Sequence, residues 1–308
     1  MNLTKELENI LKASEKIQFD YTRDPRRYFY LRPSSFPYCG FRKALEFDFE
    51  KPLKENLASS YFTGVGTSAH STFQRFMGKT GSLVGDWECK KCGNKTTFST
   101  NSICKKCGSE MLYEELELRI KNTLLGHTDG LVKLKVKGKA KYFVIDFKTT
   151  SLKKVYASKY NKTIFPLRAN VYQIQNYVPA LEIQYSIKID GYALIYLPRD
   201  LPLGSNVKIV EKIFTEEEKE NLHKALSRTI KIHRRALVAD TKEDYKLLEK
   251  YKLCKSAADY KANWHDTYSP CPYAKNCFSD MKKIIKDRIP KGALIELASA
   301  PIRKELGL

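Results

Sequence analysis

The sequence predicts an α/β fold, with a mixed central sheet flanked by helices. Three observations predict it. Short apolar runs of strand length, Tyr142 to Phe147 (YFVIDF) and Tyr192 to Leu197 (YALIYL), stand between segments of helical periodicity. Strands with helices before and after them argue for a layered sheet rather than a bundle or a sandwich. The composition, 42% hydrophobic and 29% charged over 308 residues, supplies one large core with room for an inserted module.

The elements follow in chain order. Residues 3–17 carry an amphipathic helical pattern. Leu31-Arg32-Pro33-Ser34-Ser35 reads as a loop with a capping serine, followed by a helix that carries Cys39. Over 58–78, Ala58, Tyr61, Phe62, Val65, Ala69, Phe73 and Phe76 recur at helical spacing, which puts His70 on that helix. A cysteine-rich stretch occupies 86–112. Two strands come next, Leu116 to Leu125 and His127 to Val136, with a turn at Gly126. Lys137-Gly138-Lys139 makes the following turn and leads into the buried strand 142–147. Residues 166–184 read as a helix, 187–198 and 207–213 as strands, and 215–239 as a long charged helix. The remainder is a cysteine-bearing loop and a basic C-terminal region. There is no internal repeat and no low-complexity segment.

Lys and Arg number 55 against 35 Asp and Glu, a formal charge of +20. Each phosphate that such a surface contacts releases condensed counterions, so the surplus favours nucleic acid as the partner. Tyr21 to Arg32 (YTRDPRRYFYLR) and Lys153 to Lys162 interleave aromatics with cations, a pattern that can track single-stranded DNA. Lys282, Lys283, Lys286, Arg288 and Lys291 offer one wall of a basic groove. The longest apolar run is strand-length, so no membrane partner is expected. The opening MNLTKELENILKASEK lacks the apolar core of a signal peptide. A cytoplasmic protein is expected, in which cysteines serve metals or catalysis rather than disulfides.

The eight cysteines sort into two sets. Cys89, Cys92, Cys104 and Cys107 form two C-KK-C-G knuckles within nineteen residues. Each knuckle can place two thiolates on one face of a tight turn, and Gly93 and Gly108 let the backbone fold under the metal. Two such turns make a tetrahedral four-sulfur site that suits Zn²⁺, and the short insert between them makes the ribbon small. No recognition-helix motif accompanies the knuckles, which argues against a transcription-factor type of zinc protein. Cys39, Cys254, Cys271 and Cys277 are left over, the last two in CPYAKNC. Three of them fall in a loop-like stretch of polar and aromatic residues, a poor setting for core thiols. Four thiolates suffice for an iron–sulfur cluster or for a second zinc.

The chemistry lies in two short stretches, GHTDGL with Asp129 and VIDFKTT with Asp146 and Lys148. Residues i and i+2 of a strand share a face, so Asp146 and Lys148 project together while Phe147 points into the core. Asp129 comes from the neighbouring hairpin, and Glu117 on the first strand is a further candidate. Carboxylates hold Mg²⁺ or Mn²⁺, the metal activates water, and a lysine stabilises negative charge, which is the equipment of phosphodiester hydrolysis, although D-x-K by itself fits a surface salt bridge of Lys148 with Asp146 or Asp129 better.

Gly64-Val65-Gly66-Thr67-Ser68-Ala69-His70, Gly126-His127-Thr128-Asp129-Gly130, Asp146-Phe147-Lys148-Thr149-Thr150 and Gln173-Ile174-Gln175-Asn176-Tyr177, in that order, resemble the RecB-type PD-(D/E)XK nucleases. The resemblance covers roughly residues 30–280. One cysteine before the core and three after it, ending in CPYxxxC, resemble the iron–sulfur subgroup, which includes CRISPR-adaptation exonucleases, AddB nuclease subunits and phage exonucleases. The resemblance implies a restriction-endonuclease-like sheet and a DNA exonuclease acting on single strands or duplex ends. It implies that His70, Asp129, Asp146 and the Phe147 carbonyl bind the divalent metal and that Lys148 is the catalytic lysine. Gln173 and Tyr177, one helical turn apart, would position substrate or support that lysine. Cys39, Cys254, Cys271 and Cys277 would hold a [4Fe-4S] cluster that clips the chain ends together.

Two features depart from the family pattern. Thr128 precedes Asp129 where the family carries an acidic residue or proline. The zinc module is not a general family feature, and it offers a surface for a protein partner. The expected organisation is a helical region at 1–85, a zinc ribbon at 86–112, a nuclease core at 113–240 and an iron–sulfur and basic region at 241–308. An alternative is a catalytically weak nuclease fold that serves as a DNA-binding or scaffold subunit.

Overall fold

The computed structural model describes residues 9, 12–14, 16, 18–21, 30–35, 39–40, 43–44, 53–120, 123–150, 166–199, 207–239 and 242–251. The elements in chain order are β1 (Gln18–Tyr21), β2 (Leu53–Asn56), α1 (Leu57–Gly78), β3 (Leu83–Glu88), β4 (Lys95–Ser99), β5 (Leu112–Glu114), β6 (Leu116–Ile120), β7 (Leu124–Thr128), β8 (Gly130–Val136), β9 (Lys139–Thr150), α2 (Arg168–Tyr185), β10 (Gly191–Pro198), β11 (Lys208–Ile213), α3 (Glu216–Val238) and α4 (Lys242–Glu249). This is a mixed α/β protein. Its central sheet runs β11-β10-β9-β8-β3-β4, with β5 on β3. β10 runs parallel to β9 and the other pairings are antiparallel. β6 and β7 form a separate two-stranded hairpin.

Alternation along the strands divides the core between the two faces of the sheet. Val144 and Leu194 point to the α2 side, where they pack with Leu131, Ile174, Val178 and Leu181. Ile145, Phe147 and Leu197 point to the other side, where Ala69, Phe73 and Met77 of α1 cover them. α3 begins with a full capping box. The Thr215 hydroxyl accepts from Glu218 N at 3.2 Å, and the Glu218 carboxylate accepts from Thr215 N at 3.0 Å. Among the described residues no helix is long and apolar enough to cross a membrane.

Helical periodicity locates α1, α2 and α3 to within about two residues, but three expectations fail. Gly126 is not a turn. It lies inside β7 opposite Leu118, and the pairing of the hairpin runs on to Ile120 opposite Leu124. The glycine serves a close approach, since a Cβ there would meet Pro33 Cδ at 2.7 Å. The chain around Leu31 runs beside β7, with Leu31 N donating to Thr123 O and Leu125 N donating to Leu31 O. The strand expected over 187–198 begins only at Gly191, because the Glu182 carboxylate takes the Ile189 N–H at 2.9 Å and the Asp190 carboxylate takes Tyr142 N at 3.0 Å. β9 is longer than expected. Lys137 (φ 49°) and Gly138 (φ 78°) close a two-residue hairpin, so pairing starts at once with Val136 opposite Lys139.

Candidate active site

The site lies where β8 stops short. Its last pairing with β9 is Gly130 opposite Ile145, whereas β10 stays paired with β9 as far as Thr150. From Asp146 onward β9 is therefore laddered on the β10 side only. Asp129, the single residue between β7 and β8, fills the gap left on the other side. Its Oδ2 accepts from Phe147 N at 2.7 Å, so a side chain replaces the next rung of the ladder. Thr128, buried before it, donates its hydroxyl to Gly130 O at 3.3 Å across the same bend.

His70 reaches this gap from α1. Its Nδ1 is 3.4 Å from Asp129 Oδ2, and its ring lies 5.7 Å from that of Phe147. Burial, and then the charge of Lys148, holds the imidazole below its ordinary value of 6.5, so it is neutral at pH 7.

Asp146 and Lys148 share the opposite face of β9, as the i, i+2 spacing requires. The Asp146 side chain is 1% exposed and Lys148 Nζ lies 2.7 Å from its Oδ2. The approach is that of an ion pair, since neither Asp146 oxygen has a hydrogen-bond partner of good geometry. Burial pushes the Asp146 and Asp129 carboxyls upward, against the opposing pull of Lys148. One cation thus faces two carboxylates, of which Asp146 is buried without a hydrogen bond and Asp129 is half-buried on Phe147 N. Buried carboxylates without hydrogen bonds are costly unless positive charge compensates them.

A chain of side chains from α2 fixes the lysine. Lys148 Nζ donates to Gln173 Oε1 at 3.0 Å, and Gln173 Nε2 donates to the Tyr177 hydroxyl at 2.6 Å. The ammonium can only donate, which settles which end of the Gln173 amide faces it. Tyr177 also lines a recess of about 240 Å³ with Arg32, Ser34 and His127.

His70, Asp129, Asp146, Phe147, Lys148, Gln173 and Tyr177 thus come together around one end of β9. Glu117 does not join them. Its Oε1 accepts from Arg119 Nε at 2.9 Å. Two unforeseen residues, Gln74 and Glu115, stand at the site instead. Gln74 Nε2 donates to both Glu115 Oε1 and Asp129 O, each at 2.8 Å. The available signal for Gln74 was its place one helical turn after His70.

The second candidate centre is the cysteine module. Cys89, Cys92, Cys104 and Cys107 bring their Sγ atoms within 4.8 Å of one another, the one such His/Cys/Asp/Glu group among the described residues. The two knuckles are built alike. Gly93 N donates to Cys89 O and Gly108 N to Cys104 O, each at 2.8 Å, with the glycines at φ 69° and 72°. Ser109 holds the Cys107 thiol below its ordinary value through hydrogen bonds. Trp87, Met111 and Tyr113 pack beneath the sulfurs. The group could hold a metal ion.

Cys39 is half-buried beside Gly40, which packs on Ile232, Leu248 and Tyr251. Cys254, Cys271 and Cys277 lie outside the described residues, as do Lys153–Lys162 and the basic run at 282–291. Most of the 3–17 and 21–32 segments lies outside as well. No protein-family model matches the chain, and no curated protein matches it significantly in sequence.

Proposed function

We propose that the protein is a metal-dependent nuclease of restriction-endonuclease-like fold that hydrolyses DNA at single strands or duplex ends. The observation that carries this reading is the buried, hydrogen-bond-free Asp146 carboxylate beside Asp129, His70 and a lysine held in place. A structural ion pair has no need of a second, half-buried carboxylate that deepens its charge deficit. Two carboxylates and a neutral imidazole suit a hard divalent cation, Mg²⁺ or Mn²⁺. His70, Asp129 and Asp146, with the Phe147 carbonyl, would hold it. Bound there, the ion would acidify water and neutralise charge building on the phosphate.

The remaining work falls to the chain. Phe147 N fixes the Asp129 carboxylate, and burial keeps Asp146 from bulk water. Lys148 carries the donor for the attacking water or for a phosphate oxygen, where negative charge grows in the transition state. Gln173 and Tyr177 restrict the ammonium to that position, which contributes through orientation. The formal charge of +20 supports a polyanionic substrate.

The four-cysteine group is assigned to one Zn²⁺. A tetrahedron with Zn–S bonds of about 2.3 Å has edges of about 3.8 Å. The contacts Cys89–Cys107 at 3.5 Å and Cys92–Cys104 at 3.6 Å match a single ion better than a multi-iron cluster. Cys39, Cys254, Cys271 and Cys277 are assigned to a [4Fe-4S] cluster. The packing of Gly40 on Tyr251 supports this, since Gly40 follows Cys39 directly and Tyr251 is close in sequence to Cys254.

The decisive experiment is digestion of end-labelled single- and double-stranded DNA with Mg²⁺ or Mn²⁺. Wild-type protein is expected to degrade it, and Asp146→Ala and Lys148→Ala are each expected to lose at least about a hundredfold in rate. DNA binding without hydrolysis by the wild type would favour the scaffold reading. Undiminished hydrolysis by both variants would place catalysis elsewhere.

A further inference from the structure

We propose that Gln74 and Glu115 are positioning residues that hold Asp129 ready for the divalent cation, an inference that rests on the nuclease reading above. Asp129 occupies the one-residue break between β7 and β8, where no ladder partner fixes its peptide. Its carboxylate is held by Phe147 N, and its carbonyl is held by Gln74 Nε2 at 2.8 Å. Gln74 is 7% exposed, and its amide nitrogen spends one hydrogen on Asp129 and the other on Glu115.

Glu115 gives the bridge its direction. The Asp129 carbonyl can only accept, and with the Glu115 oxygen beside it the nitrogen of Gln74, rather than the oxygen, faces the pair of acceptors. Glu115 is itself anchored at both ends. It follows β5, which pairs with β3 from Asp86 to Glu88, next to Cys89 of the module. It precedes β6, which pairs with β7 as far as Thr128, next to Asp129. Gln74 stands four residues after His70, so one face of α1 delivers an imidazole to the Asp129 carboxylate and an amide to its carbonyl. Asp129 is gripped at both ends from a single helix.

The test uses the full chain, without DNA in its first two measurements. Calorimetric titration with Mn²⁺ reads the site, with Asp146→Ala defining the heat that belongs to it. Amide hydrogen exchange reads residues 124–131. Gln74→Met keeps the length of the side chain and removes both donors. It is expected to weaken Mn²⁺ binding about tenfold and to speed exchange over 124–131, as loss of a ligand's supporting partner does. Glu115→Gln still offers Gln74 an acceptor oxygen and is expected to retain Mn²⁺ binding and slow exchange. On DNA, the Gln74→Met defect is expected in kcat rather than KM.

Wild-type Mn²⁺ affinity and wild-type exchange in Gln74→Met would overturn the proposal. So would a Glu115→Gln protein as impaired as Gln74→Met, because charge rather than the bridge would then hold Asp129. A wild type that binds Mn²⁺ but cleaves no DNA would defeat the nuclease reading alone, since the titration and the exchange still judge the bridge.

Discussion

Asp146 is the residue whose environment is hardest to explain without function. Its side chain is 1% exposed, and both oxygens lack hydrogen-bond partners of good geometry. Burial holds it and Asp129 above the ordinary carboxyl value of 3.8. The fold therefore favours the protonated forms. That contribution to stability is complete below the unfolded value and is lost as pH rises through the raised folded values. In metal-free protein the unfolding midpoint is expected to fall between about pH 4 and about pH 7, more steeply in wild type than in Asp146→Asn. Added Mn²⁺ should raise the wild-type midpoint most at the upper end, where the carboxylates are ionised. Equal slopes in the two metal-free proteins would show that Asp146 is not held protonated by the fold. Most residues of this site were legible because their spacing is geometric. Asp146 and Lys148 share a strand face, and Gln173 and Tyr177 share a helix face. Glu115 was not legible. It has the same strand parity as Glu117, and only the break between β5 and β6 sends the two carboxylates to different neighbours.

At the scale of elements, the site comes from a mismatch of strand lengths rather than from a loop. β8 begins only at Gly130 while β9 runs on to Thr150, which leaves a notch beside the edge of β9 that Asp129 and His70 occupy. Periodicity marks where a strand's apolar core lies and says little about where its pairing stops, so 142–147 was readable while the true span 139–150 was not. Gly126 misled for a related reason. Glycine marks turns and close approaches alike, and only the packed chain shows that Pro33 lies against it. The helices were read more accurately because their apolar periodicity runs nearly to their ends, and α3 also carries a cap. Thr215 and Glu218 cap α3 reciprocally, far along the chain from the notch residues. Thr215→Ala removes one bond of the box and loosens the other, and should cost about 1 kcal/mol. Urea unfolding checks this, with DNA hydrolysis expected to be unchanged. A loss of activity at full stability would mean that the start of α3 contributes to the site.

At the scale of the whole molecule, the cysteine module is continuous with the sheet that carries the notch. β3 pairs with β8 at Leu83 and Val84, and the same strand pairs with β4 and β5 from Gly85 to Glu88 before running into Cys89. Trp87 is 2% exposed between the two regions, with its Nε1 donating to Ser99 O at 2.8 Å and its ring 5.2 Å from that of Tyr113. The module's apolar core is small, with Trp87, Met111 and Tyr113 around the cysteines. A core of that size needs a staple, and a tetrahedral metal is the one its four thiolates can supply. Metal removal is therefore expected to loosen the module while the larger core of the sheet persists. The measurement is tryptophan emission in a Trp264→Phe background, which leaves Trp87 as the reporter. A chelator should shift Trp87 emission to the red with little change in far-ultraviolet circular dichroism, and about one Zn²⁺ per chain should be released. Because Glu115 hangs from β5 of this module, Mn²⁺ affinity at the notch should fall with the zinc. Emission that stays put after the zinc has left would show that the protein fold alone holds the knuckles, and the coupling from module to notch would fail with it.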